Sequence, residues 1–535
     1  MRQALSCTNL MNLFDSIFAT QPPAKPAVLY EQRKITYGEL REQTLTMKTV
    51  FASLGIVSGD RVALLLNDSP EFITSFISIV SSGAIAVPIN MGLRLDEQEL
   101  ILSDCGATVA MVESDLAESL PRNFYEGLPQ LKNIIKVVRR DEDHEIERNT
   151  NRHAPRIHNL ADLLREAGST TSELSWTDED TPAFILYTSG STGEPKGAIH
   201  SQRHIFYTNN TFCREVLKLT PDDRLFSSSR LPFAYGLGNS LSFPLLNGAT
   251  AILCRQKPTA EAVSRILIDY KPTVFFSVPV VYNLLLEHHR GGQNLNCSSL
   301  RLCISAGEAL PAQLGEEWEN MFGVPVLDGI GSTEMLHMFM SNHEGEVRYG
   351  SSGRLLKGYA ARLLDEQGGP SPAGAVGNLW IQGDSAALGY WQKPETTERT
   401  FVDGWVRTGD LYRSDDGNWY HMGRSDDCFK SSGQWVSPVE VEGALLRHEG
   451  VSRAAVVEDF DKDGLPCATA FVICRDGAPD QNRVELELRE LLKNALPRFK
   501  QPRKYFFVSE MPYTATGKIQ RFKLREQLRS SESNL

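Results

Sequence analysis

The sequence predicts an α/β protein, with a large N-terminal domain of parallel and mixed sheets joined by crossover helices and a small α+β C-terminal domain. Three observations predict it. At 535 residues the chain exceeds what a single core ordinarily holds. Through the first 112 residues the apolar pattern alternates between helical and strand periods, which favours parallel strands with crossover helices. From about Val376 the pattern changes to short strands with Gly and Asp turns, and then to a separate α+β unit.

In order, the reading gives helix 37–54, strand 61–66, helix 70–82, strand 84–88, helix 96–103 and strand 108–112. The uncharged stretch between Phe72 and Leu93 is long enough to resemble a membrane span. However, Thr74, Ser75, Ser78, Ser81 and Ser82 recur on one helical face, with Phe72, Ile73, Phe76, Ile77 and Val80 on the other. That is an amphipathic helix, opened by Ser69 as cap and Pro70 in the first turn. The polar, weakly periodic region 139–175 reads as a surface excursion, and strand 183–187 then enters a glycine-rich loop. The C-terminal unit carries strands 454–458 and 468–473, helix 483–495 and strand 505–508. The boundary falls at Asp426, giving domains 1–425 and 426–535, with no internal repeat or low-complexity tract.

A hydrophobic share of 41%, a charged share of 23% and a net charge of −12 describe a soluble globular protein whose main partner is not nucleic acid, since phosphate neutralisation needs a basic surface. Nine scattered cysteines, without a CxxC pair or a nearby set at zinc spacing, read as reduced packing residues of a cytoplasmic protein. Asp15 interrupts the early apolar stretch, so no signal peptide is expected, and the terminal Ser-Asn-Leu reads as a chance likeness to a peroxisomal address.

The strongest motif is YTSGSTGEPKG at 187–197, directly after a hydrophobic strand. Small residues at Ser189, Gly190, Ser191, Thr192 and Gly193 leave backbone N–H groups free to surround phosphate oxygens. Thr188, Ser189 and Ser191 add hydroxyls, and Lys196 adds a mobile cation. It is not a Walker loop: counted from Gly190, the required second glycine is Pro195, and Lys196 is followed by Gly197.

This loop resembles that of the adenylate-forming superfamily of acyl-CoA synthetases, peptide-synthetase adenylation domains and luciferases. The resemblance continues in order through SAGEALP (305–311), DGIGSTE (328–334), WVRTGDL (405–411), GRSDD (423–427) and TGKIQR (516–521). FAYGLGN (233–239), GIGSTEMLHMF (329–339) and GQWVSP (433–438) are similar to the benzoate-CoA ligase branch. Pro232 stands where that branch often carries a bulky aromatic, so the resemblance implies a class of acid rather than one acid.

The resemblance implies ATP, Mg²⁺ and coenzyme A, or a carrier protein's phosphopantetheine, as reactants and cofactors. Glu334 is expected to hold the metal, a hard cation that takes one carboxylate plus phosphate oxygens. Thr188 and Thr333 would donate to phosphate, Asp328, Gly329 and Ile330 would line the adenine, Asp410 would accept both ribose hydroxyls, and Arg424 would support the ribose. Lys518 would stabilise the charge that develops when a carboxylate attacks the α-phosphate. Tyr235 and His337 would form aromatic walls for a flat ring, with Ala234, Ala306, Gly307, Ile330, Gly331 and Met338 around them. Asp426 would be the hinge of a mobile small domain, which then presents Gly433 and Trp435 to the thiol.

The expected activity is therefore activation of an aryl carboxylic acid to acyl-AMP, followed by thioester formation. Two rivals carry the same motifs in whole or part: a stand-alone ligase that loads an acyl carrier protein, and a non-catalytic nucleotide-binding regulator. Lys518, Glu334 and Asp410 together argue against the regulator.

Overall fold

The computed structural model describes residues 10–121, 124–138, 155–168, 174–189, 195–432, 434–461, 464–475, 477–513 and 519–532. A seven-stranded sheet runs in the order Arg156–Asn159, Asn133–Val137, Val109–Glu113, Arg61–Leu65, Ile85–Pro88, Pro182–Ser189 and Pro195–Ser201. Every neighbouring pair is parallel except the last, a hairpin. A nine-stranded sheet places Arg224–Ser227, Val274–Ser277, Leu302–Ser305 and Val326–Gly331 side by side and parallel, with antiparallel strands at both edges. Crossover helices join most of these strands, as alternating periods require.

Helices Tyr37–Ser53 and Pro70–Ser81 bring the two sheets into one core: Val28 of the nine-stranded sheet shares a buried cluster with Val62, Leu64 and Phe184 of the seven-stranded one. Ser69 caps the second helix by accepting from the Phe72 N–H, with Pro70 at its first position. The amphipathic reading of this helix is corrected, because its serine face is buried as well. Its hydroxyls turn inward on backbone: Ser75 Oγ donates to the Glu71 carbonyl at 2.6 Å, and Ser78 Oγ lies 2.7 Å from the Thr44 carbonyl on the facing helix. Hydroxyls that can bond their own helix are buried without an orphaned donor, which period alone does not reveal.

The surface excursion expected over 139–175 is also corrected. It contains the edge strand Arg156–Asn159 and the helix Leu160–Ala167, capped by Asn159, whose Leu160 and Leu163 are buried. Both elements are too short to leave a clear period. Residues 139–154 and 169–173 lie outside the described residues.

A five-stranded sheet, including the long antiparallel pair Trp405–Asp415 and Asn418–Arg424, leads to the small domain. There Val451–Phe460, Pro466–Cys474 and Lys504–Phe507 form a sheet packed by helices Pro438–Leu445, Gln481–Ala495 and Arg521–Glu532. Its two buried clusters draw only on residues from Phe429 to Leu528. Between the domains, Ser425 donates from both its N–H and its Oγ to the Gly409 carbonyl, at 2.9 and 3.1 Å. Two residues later Asp427 pairs with Arg521 and Arg525 of the small domain, at 3.7 and 3.1 Å. Among the described residues no helix is long and apolar enough to cross a membrane.

Candidate active site

The phosphate-loop motif sits on the terminal hairpin of the seven-stranded sheet. Register pairs Tyr187 with Gly197, Thr188 with Lys196 and Ser189 with Pro195, which places these residues at the end of the hairpin joined by 190–194. Gly190, Ser191, Thr192 and Gly193 lie outside the described residues. Gly197 has no room for a side chain, since a Cβ there would lie 2.6 Å from Ile185 and 2.9 Å from the Tyr187 ring. The Tyr187 hydroxyl donates to Asp104, whose carbonyl accepts from Trp391 Nε1 at 3.1 Å.

The segment around Trp391 pairs with the hairpin: Trp391 N–H donates to the Gly197 carbonyl, and Leu388 N–H to the Ile199 carbonyl. That pairing sets Tyr390 beside the motif residues. Its hydroxyl donates to Glu334 Oε1 at 2.7 Å, while Lys196 Nζ lies 5.9 Å from its ring centroid. Tyr390 was not singled out by sequence; the signal that could have found it is its place in an aromatic-Gly pattern, LGYW, shortly before a helix-opening Pro394.

Glu334 stands in the turn Thr333–Met335, capped by Ser332, whose Oγ accepts from the Met335 N–H. The turn is held from two sides. His200 Nε2 is 2.8 Å from the Thr333 carbonyl, and Ala387 N–H donates to the Glu334 carbonyl at 2.7 Å. Before the turn, Asp328 is buried, and that burial pushes its carboxyl well above the usual carboxylate range. It accepts from the Leu310 N–H of the 305–311 motif. Gly329 and Gly331 are explained by the strand beside them. A Cβ on either would strike Met338–Ser341 or His337 backbone at about 2.4–2.5 Å.

Asp410 and Arg424, the residues expected to meet the ribose, face each other on paired strands, with Asp410 Oδ1 3.3 Å from Arg424 Nη1. Arg424 also donates to the Thr408 carbonyl and passes over Gly409, where a Cβ would meet the guanidinium at 2.8 Å. Burial alone would lower Arg424, but the adjacent Asp410 carboxylate, with Asp426 and Glu334 beyond it, holds the guanidinium above its ordinary value. Lys196, Tyr390 and Glu334 thus form one chain of contacts, and Arg424 and Asp410 a second pair. His421 Nε2 lies 3.5 Å from Asp410 Oδ1, a neighbour that no motif points to.

The proposed acyl residues also converge. Tyr235 and His337 have ring centroids 5.4 Å apart, and Phe243 meets His337 edge to face at 4.6 Å. Ala306 and Met338 belong to the buried cluster against which Tyr235 and Ile330 pack. Ala234 opens the short helix that carries Tyr235, and Gly307 adopts φ +92°, open to glycine at little cost. Asn239 Oδ1 lies 3.1 Å from His337 Nε2, and a Cβ on Gly238 would strike the same imidazole at 2.6 Å. Burial holds His337 down to about 3, so the ring is neutral.

Asp426 lies between the Ser425 and Asp427 anchors. Trp435 sits on a hairpin with Lys430 Nζ 5.1 Å from its ring, and Lys430 pairs with Glu366 of the large domain. Gly433 and Lys518 lie outside the described residues; Tyr513 and Ile519, on either side of 514–518, form an antiparallel bridge. Arg521, three residues after Lys518, binds Glu442 at 2.8 and 2.9 Å. Among the described residues no three His, Cys, Asp or Glu side chains form a metal cluster. A single carboxylate at Glu334 with nearby hydroxyls suits magnesium, which keeps water and substrate phosphate in its shell.

Comparison with known proteins shows the family. The family model described as AMP-binding enzyme matches residues 16–391, and that of the AMP-binding enzyme C-terminal domain matches 440–518. A benzoate–CoA ligase of Thauera aromatica is 41% identical over 480 residues, spanning 88% of this chain and 87% of the relative. A solved anthranilate CoA ligase, AuaEII, in complex with anthranoyl-AMP, superposes with a TM-score of 0.92 at 35% identity, covering 99% of this chain and 100% of that one. A benzoate CoA ligase from Burkholderia xenovorans LB400 superposes with a TM-score of 0.85 at 35% identity, covering 96% and 100%.

Proposed function

Because the chain belongs to the AMP-binding enzyme family and is an AMP-forming acid–thiol ligase of the aryl type, we propose that its acid is a single-ring carboxylate of benzoate size and its thiol that of free coenzyme A. The observation that carries the ring assignment is the contact between Tyr235 and His337, two flat walls beside Gly238 and Gly331, where no side chain fits. Relatives of this chain that act on benzoate and anthranilate support it. The coenzyme A ligases among them support the acceptor over a carrier protein.

In the first step the acid attacks the ATP α-phosphate and pyrophosphate leaves. Two anions meet there, so the site must supply fixed positive charge and donors. Lys196 and the hydroxyls of Thr188 and Thr333 bind phosphate oxygens, Asp410 takes the ribose, and Arg424 holds Asp410 in place. Glu334 is the residue that would hold magnesium, which when bound neutralises phosphate charge. Lys518 stabilises the charge on the attacking carboxylate and the α-phosphate. In the second step the small domain turns about Asp426, withdrawing Lys518 and bringing Gly433 and Trp435 to the site, and the thiol attacks the mixed anhydride to release AMP. The anchors on either side of Asp426 support the pivot: Ser425 is fastened to the large domain and Asp427 to the small one.

The deciding experiment is pyrophosphate release across a panel of benzoate, hydroxybenzoates, anthranilate, cyclohexanecarboxylate and straight-chain acids, followed by acyl transfer to coenzyme A or to a purified carrier protein. Ring acids are expected to lead, and coenzyme A to be acylated. Preference for acids of eight or more carbons in kcat/KM, or acylation of the carrier alone, would overturn the corresponding half of the proposal.

A further inference from the structure

We propose that His200 is a positioning residue for acid activation: by donating from Nε2 to the Thr333 carbonyl, it holds the Thr333–Met335 turn in register with the strand that carries Lys196. The proposal rests on the reading that Thr333 and Glu334 face ATP phosphate and its metal.

His200 and Lys196 lie four residues apart on the strand Pro195–Ser201, and a strand's period of two puts them on one face. Lys196 reaches the turn indirectly, through the Tyr390 ring and its hydroxyl on Glu334. His200 reaches it directly, at 2.8 Å. Phosphate-binding strand and metal-binding turn, 133 residues apart in sequence, are therefore joined twice from the same face.

The direction of the bond follows from its partner. A carbonyl oxygen only accepts, so Nε2 of His200 carries the proton. His200 is fully buried, and burial pushes it down to about 4, so the imidazole is neutral and its Nδ1 is an acceptor. Nδ1 of His204 lies 2.9 Å away, edge-on, and itself accepts from the Ser201 N–H. The Thr333 carbonyl therefore selects the His200 tautomer with its proton on Nε2.

A buried histidine serving only as packing would need none of this. Phe184 stacks on the His200 ring at 5.3 Å and would accept any flat side chain there. His200→Phe therefore keeps the stack and removes the bond. Glutamine carries an N–H at about the reach of Nε2, whereas asparagine falls short of the Thr333 carbonyl.

The test compares wild type, H200F, H200Q, H200N and E334Q in the full-length enzyme. It measures MgATP binding by calorimetry without acid, the magnesium dependence of acyl-AMP formation, thioester formation from supplied acyl-AMP, and the thermal midpoint. We expect H200F to weaken MgATP binding and slow adenylation about tenfold, the size of one lost buried hydrogen bond. Thioester formation should stay within about twofold, and H200Q should recover most of the loss. If H200F does not fold, H200N must show the deficit that H200Q lacks. Wild-type binding and adenylation in H200F, equal loss in H200Q and its partner variant, or equal loss of both half-reactions would overturn the proposal. Unchanged magnesium dependence in E334Q would remove the metal-binding turn, and the proposal with it. Loss in E334Q with none in H200F would overturn the role of His200 alone.

Discussion

The phenol of Tyr390 donates to Glu334 at 2.7 Å while its ring faces the Lys196 ammonium, so one side chain orients both the carboxylate and the cation proposed to meet ATP. Tyr390→Phe keeps the ring and removes only the hydroxyl. A hydrogen bond to a charged group contributes about 1.5–3 kcal/mol. Acyl-AMP formation should slow by about 10- to 100-fold, with a raised magnesium requirement, and thioester formation from supplied acyl-AMP should be spared. A rapid-quench comparison of the two half-reactions decides it; wild-type adenylation would show that the contact orients nothing used in catalysis.

Removing one wall of the ring site should change which acids enter. Tyr235→Ala is expected to shift preference toward bulkier acids, with about 1–3 kcal/mol of discrimination at stake. Competition between benzoate and larger substituted acids measures the shift in kcat/KM. An unaltered acid profile would take Tyr235 out of the pocket.

The two half-reactions should respond differently to Lys518 and Asp426. Lys518→Ala should slow acyl-AMP formation by about 10²–10³-fold, the loss of one transition-state donor, and leave thioester formation from acyl-AMP intact. Asp426→Pro fixes φ near −65° between the Ser425 and Asp427 anchors. Adenylation should survive if the trapped pose is the adenylating one, and thioester formation should collapse. Equal loss of both steps in both folded variants would mean that rotation does not pivot at residue 426.

His337 should leave a mark on stability as a function of pH. Its folded value is lowered by burial from 6.5 to about 3. Below pH 6.5 the unfolded chain therefore binds a proton that the folded chain refuses. The stability this imidazole contributes is complete above that pH and is lost as pH falls toward 3. One proton corresponds to about 1.4 kcal/mol per pH unit. His337→Phe, placed among Phe212 and Phe243, should flatten the fall of the thermal midpoint between pH 6 and 4. An equally steep fall in the variant would assign the acid sensitivity elsewhere. His200 and His204 act with the same sign, while buried Asp68, raised to about 6, acts with the opposite one, so the comparison with wild type isolates His337.

Much of this architecture could be read from one chain because its local signals agree. Ser69 and Pro70 announce a helix start, and the apolar strands before 112 lie within one or two residues of their observed limits. The motifs at 328–334 and 405–411 were legible through their family resemblance, and their glycines have a physical reason, close backbone at Gly329 and Gly331 and the Arg424 guanidinium at Gly409. What escaped was long-range. Tyr390, His200 and Asn239 act through partners 56, 133 and 98 residues away, and no period or cap encodes such a pairing. The buried serine face of Pro70–Ser81 escaped for the same reason: the second helix that covers Ser78 is named only by the fold.

Among the described residues, the buried apolar clusters of the last section of the chain take nothing from what precedes Phe429. During synthesis, then, the two large sheets can settle while the final stretch is still inside the ribosome, since domains fold as units from the N-terminal side. A nascent chain whose residues up to 428 have cleared the ribosome would carry every partner needed to set Tyr390 against Glu334 and Asp410 against Arg424. It would hold the region matched by the AMP-binding enzyme family, residues 16–391, and still lack Lys518, the lysine proposed for acid activation.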